Sequence, residues 1–118
     1  MSAPEVIAAA LNSMPADPRP SELVNQDRAR IALEALKAAG YAVVELPEAQ
    51  PRWDGALAAW KVEQTWHGQP EEPGEVSIRR TDGRIGVNSV SMPVETPQNA
   101  RNLAAALLAA ADAAEAQS

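Results

Sequence analysis

Phenylalanine is absent from this chain, tyrosine occurs once, and the remaining aromatic bulk is three tryptophans, Trp53, Trp60 and Trp66. Much of the 46% apolar content is alanine, which buries little area. Any core must be built from Leu, Ile and Val, about a fifth of the chain, together with those indoles. A core of that kind is small, so stability is modest unless the chain self-associates. The patterning is nonetheless that of a folded chain, and 118 residues suit one domain.

The chain opens with a helix signal. Ser2 stands three before Glu5, as in a capping box, and Pro4 falls in the first turn. Val6, Ile7, Ala10 and Leu11 make its apolar stripe, and Pro15, Pro18 and Pro20 end it. Ser21 is expected to cap a longer helix reaching Ala39, with Leu23, Ala29, Ala32, Leu33 and Leu36 at helical spacing. Gly40 is its left-handed stop. Residues 41–46 then read as a strand, and 47–57, with Pro47, Pro51 and Gly55, as a loop.

Trp60, Val62, Gln64 and Trp66 alternate with Lys61, Glu63 and Thr65, the pattern of a half-buried strand. Residues 68–74, holding Pro70 and Pro73, read as a turn. A third strand at 75–80 and a fourth at 84–90 flank Thr81-Asp82-Gly83, the strongest hairpin signal present. Gly86 marks a bulge or a close backbone approach. Thr96 caps a last helix with Pro97 first, and Ala100, Leu103, Ala104, Leu107, Ala110, Ala111 and Ala114 form its small-residue stripe.

The expected fold is α+β: helix, helix, a four-strand antiparallel sheet, helix, in two layers with the second and third helices on one face. Residues 1–118 are expected as a single domain, with 1–20 loosely attached and 21–118 forming the α+β core.

Few residues here could do chemistry. There is no cysteine, and His67 is the one histidine. His67 with Glu63, Glu71 or Glu72 is too sparse for a metal cage, and no metal or cofactor is expected. Glu45, Glu48 and Asp54 have no fixed spacing as a carboxylate pair. Ser13, Ser77, Ser89 and Ser91 lack a nucleophile context. An enzyme is therefore not expected.

The tryptophans admit two readings: core bulk, or an aromatic platform for a partner, where Trp is enriched. Trp53, in a Pro/Gly loop, is the best placed for exposure. Arg79, Arg80 and Arg84 surround Asp82 and suggest either a solvated turn with an Arg–Asp pair or the wing of a winged-helix DNA binder. The net charge of −6 argues against nucleic acid as a partner. The alanine stripe of the last helix serves either its own sheet or a homodimer contact. The absence of cysteine, of a basic leader and of a membrane-length apolar run suggests a cytoplasmic protein with no membrane partner.

Arginine outnumbers lysine, which occurs only at Lys37 and Lys61, and with heavy Ala and Pro usage this suggests a GC-rich genome. Residues 30–47, from Arg30 through Gly40-Tyr41 to Pro47, and residues 96–112, from Thr96-Pro97 to Asp112, resemble segments of small uncharacterised accessory proteins of actinobacteria and their phages, such as mycobacteriophages. The likeness covers about a third of the chain and carries over no site residue. It implies a small accessory protein that acts by binding a host or phage protein. The expectation is thus a non-enzymatic interaction module in the host cytoplasm, contacting its partner through Trp53, Trp60 and Trp66. The alternatives are a winged-helix-like regulator and a virion structural or assembly component.

Overall fold

The computed structural model describes residues 2–16, 18–51 and 55–116. It shows an α+β protein with three helices and a three-stranded antiparallel sheet among those residues. Two compact units divide between Val44 and Glu45.

The first unit is a helix pair. Helix α1 (Ala3–Asn12) starts as its capping box predicts: Ser2 Oγ accepts the Glu5 N–H at 3.3 Å and donates to Glu5 Oε1 at 3.0 Å. Helix α2 (Ser21–Ala38) takes Pro20 as its N-cap, so Ser21 lies inside the first turn and supplies no cap hydrogen bond. Its end is a Schellman motif, in which Tyr41 N–H donates to Leu36 O at 2.9 Å and Gly40 N–H to Lys37 O at 3.1 Å. Gly40 has φ +93, a conformation open to glycine because it lacks Cβ. Val6, Val24 and Leu36 are the residues the pair buries. Arg19–Asp27 and Arg30–Glu34 are ion pairs among its described residues, the first partly and the second well exposed, so each adds little.

Residues 41–46 were expected as a strand, yet they join no ladder and are irregular. Their β-branched and aromatic side chains suit a strand, but β-propensity acts only where a neighbouring strand and a covered face exist.

The second unit carries the sheet, ordered β1-β2-β3, with β1 Ala56–Trp66, β2 Gln69–Arg79 and β3 Ile85–Asn88. Strand β2 begins six residues before the expected position and runs through both prolines. The turn is only His67-Gly68, at φ 51 and 75, the two positive values a type I′ hairpin requires. Pro70 is tolerated because it faces Thr65, whose N–H and C=O both point away from β2 and are taken by Asn99. The ladder asks Pro70 for no donor on that side. Pro73 falls in a register shift, where β1 advances from Val62 to Gln64 while β2 steps from Gly74 to Glu71. The second hairpin turns through residues 80–83, with Gly83 at φ 70 and Asp82 Oδ1 accepting the Arg84 N–H at 3.0 Å.

Helix α3 (Pro97–Ala116) lies over the sheet. Thr96 Oγ1 accepts the Asn99 N–H at 3.0 Å, the expected N-cap. The core joins Trp60, Val62, Val76 and Ile78 of the sheet to Ala106, Ala109 and Ala110 of α3. The buried stripe meets the expected one at Leu103, Ala110 and Ala114 but is turned from it elsewhere: Ala106 and Ala109 are buried, while Ala100, Ala104 and Leu107 are exposed. A helix with alanine on every side offers no unique apolar face, so fit to the sheet decides.

Gln64 shares its strand parity with Trp60 and Val62 and is 7% exposed. Its Nε2 donates to Glu72 O and Ser89 O, both at 2.8 Å, and its Oε1 accepts the Ser91 N–H at 3.1 Å. One amide thereby ties the β2 irregularity to the segment between β3 and α3. A buried primary amide is stable here because three of its four hydrogen-bonding positions are filled.

Candidate functional site

The β1–β2 tip is an exposed and well-braced feature of the second unit. The two-residue turn fixes the backbone of Trp66 and His67. Behind it, Asn99 of α3 clamps Thr65: Asn99 Oδ1 accepts the Thr65 N–H at 3.2 Å and Asn99 Nδ2 donates to Thr65 O at 3.0 Å. Asn102, one turn on, donates to Glu63 O at 3.0 Å and is held by Gln98 Nε2 at 2.9 Å. Glu95 Oε2 accepts the His67 N–H at 2.8 Å. The tip is therefore held by side chains from α3 and the segment before it.

Trp66 stands on this support 42% exposed, its ring edge-to-face with His67 at 4.8 Å. Trp60, six residues back on the same strand, is 4% exposed and belongs to the core. The two indoles proposed as one platform are thus divided between interior and surface. Trp53 lies outside the described residues.

Alongside β1's outer edge runs an open groove of about 340 Å³, lined by Glu45, Leu46, Pro47, Glu48, Lys61, Glu63, Asn102 and Ala105. Gln50 N–H donates to Ala59 O at 2.7 Å at one end, and Asn102 takes Glu63 O at the other. Lys61 is paired with Glu63 at 3.0 Å. Glu45 and Glu48, weighed as catalytic carboxylates, share this groove; Asp54 lies outside the described residues.

The arginines at the second hairpin are turned to local work. Arg79 pairs with Asp82 at 3.3 Å, and Arg80 Nη2 donates to Ala56 O at 3.4 Å. Arg84 is exposed. His67 and the neighbouring glutamates do not converge: among the described residues no group of three or more His, Cys, Asp or Glu could hold a metal ion. Glu71 instead accepts Ser91 Oγ at 3.0 Å. No described helix is long and apolar enough to cross a membrane.

Sequence reasoning did not anticipate Asn99, Asn102 or Glu95 as supports of the tip. The available signal was an asparagine pair three residues apart at the start of an otherwise alanine-rich helix. In comparisons with known proteins, no family model, curated protein or solved structure matches this chain.

Proposed function

We propose that this chain is a small protein-interaction module without chemistry of its own, and that Trp66 at the β1–β2 tip anchors its partner. The observation carrying this reading is an indole left 42% exposed on a backbone that Asn99 and Glu95 hold in place. Tryptophan is enriched among residues that dominate binding energy, and a pre-ordered anchor loses little entropy when it is covered. The resemblance to actinobacterial and phage accessory proteins supports a host or phage protein as partner, met in the host cytoplasm.

The test compares the tagged chain with its Trp66→Ala variant as bait in a nuclease-treated actinobacterial lysate, read by mass spectrometry. The expected result is a specific protein whose recovery falls about tenfold or more with the variant. Circular dichroism should not change. Equal recovery by both baits removes Trp66 from the contact. Retention found only in a parallel lysate left without nuclease favours the nucleic-acid alternative through Arg79, Arg80 and Arg84.

A further inference from the structure

The two edges of the sheet are treated in opposite ways. On β1, the outward carbonyls of Ala59, Glu63 and Thr65 are occupied by Gln50, Asn102 and Asn99. On β3 the register turns the backbone of Ile85 and Val87 outward. Arg79 N–H donates to Arg84 O at 2.8 Å, so Arg84 points to β2. Gly86 and Asn88, paired with Ser77 and Glu75, share that direction by alternation. The N–H and C=O groups of Ile85 and Val87 therefore face away from the sheet, and among the described residues no hydrogen bond closes them.

This open edge is short, but its own side chains do not guard it. Residues 85–88 carry no charge and no proline. Ile85 and Val87 lie opposite Ile78 and Val76, on the face that α3 covers, yet remain 39% and 43% exposed. On the other face, Glu75 sits opposite Asn88, and a Cβ on Gly86 would meet the Arg79 methylenes and Ser77 Oγ, which assigns Arg84, Gly86 and Asn88 to that side.

We infer that β3 pairs antiparallel with β3 of a second copy of this chain, centred on Gly86, to form a continuous six-stranded sheet. In this register Ile85 meets Val87 of the other copy, and Val87 meets its Ile85. Their outward groups then form two doubly hydrogen-bonded pairs, and the four apolar side chains gather on the helix-covered face. On the opposite face Arg84 lies across from Asn88 of the second copy, whose own neighbour on β2 is Glu75. That places Arg84 about 10 Å from the second Glu75 between Cα atoms, two strand spacings, within reach of the two long side chains. Among the described residues neither Arg84 nor Glu75 has an ion-pair partner within its own chain. Two-fold symmetry makes this opposite-charge contact twice. The self-match selects a second copy over an unrelated extended segment. This contact is separate from the Trp66 surface, and either can fail without the other.

The test is sedimentation equilibrium on the full chain from about 1 μM to about 1 mM, since four-residue pairing gives an interface at the small end of the specific range. The mass should rise from 12.5 kDa towards twice that value. Amide exchange at Ile85 and Val87 should slow as concentration rises. Val87→Lys, at an exposed position, should raise the dimer dissociation constant tenfold or more without loss of circular dichroism. Arg84→Glu and Glu75→Arg should each weaken the dimer, and the double exchange should restore it. A strictly monomeric chain at 1 mM overturns the inference. So does a dimer that ignores Val87→Lys, one broken instead by Leu108→Asp on the exposed side of α3, or single charge changes that the double exchange does not rescue.

Discussion

Replacing Gln64 by methionine keeps nearly the same volume and removes every hydrogen bond the side chain makes. Three backbone groups lose their partners: Glu72 O, Ser89 O and Ser91 N–H. A buried polar group left unpaired costs about 1–3 kcal/mol. Glu72 and Ser89 are exposed residues, so water can reach their carbonyls in part, and the lower end of the range applies. The sum is about 3 kcal/mol, against a total of roughly 5–10 kcal/mol for a unit of this size. Urea unfolding followed through the buried Trp60 should show the midpoint falling with little change in slope, and Tm should drop by more than about 10 °C. Exchange of the Ser91 amide should accelerate in the native state, since its acceptor is gone. Gln98→Ala, which breaks only an exposed side-chain contact with Asn102, should stay within about 0.5 kcal/mol of the parent. A Gln64→Met variant within that same margin, with Ser91 still protected, would refute the claim that this amide holds the second unit together.

Asn99→Ala should destabilise by about 2 kcal/mol, because it orphans the N–H and C=O of Thr65; it should also increase thioflavin-positive aggregation by opening the β1 edge, and unchanged stability and solubility would contradict the clamp. Two glycine-to-alanine changes should differ in sign. Gly68→Ala meets a φ of 75 and should cost about 1 kcal/mol in urea unfolding. Gly86→Ala has no positive φ and no contact closer than 3.7 Å, and should add about 0.5 kcal/mol. The same sign for both would mean the turn and strand geometries are misassigned.

Much of the scaffold could be read from residues whose geometry is local. The N-cap at Ser2, the stop at Gly40, the cap at Thr96 and the turn around Asp82-Gly83 each depend on neighbours a few positions away, and each forms as expected. Features that depend on distant partners were not legible. Residues 41–46 have strand-like side chains but no strand beside them. Pro70 and Pro73 looked like turn residues because the side of the ladder each would face depends on register, and register is set by the hairpin at His67-Gly68. Histidine tolerates positive φ better than most residues, so that turn carried a faint signal. The face of α3 was legible only in part, at Leu103, Ala110 and Ala114, because alanine surrounds the helix.

Three amide side chains, two buried and one on the open groove, bear most directly on the proposed function. Gln64, Asn99 and Asn102 are the groups that, met in a cleft, would suggest a ligand. Here each is bonded to main chain: Gln64 at Glu72, Ser89 and Ser91, Asn99 at Thr65, Asn102 at Glu63. A core with so few large apolar side chains gains order by fixing backbone with amides, since each satisfied amide removes an alternative register as well as an unpaired group. On the proposed reading, recognition then falls to apolar and aromatic surface. Trp66 is such a surface, raised on the backbone the amides fix. The β3 edge is the other, open where the β1 edge is closed by the same kind of side chain. An exposed indole and an open strand edge both favour association, and the backbone beneath the indole is held by an amide already engaged with main chain, which is what the proposed interaction role requires.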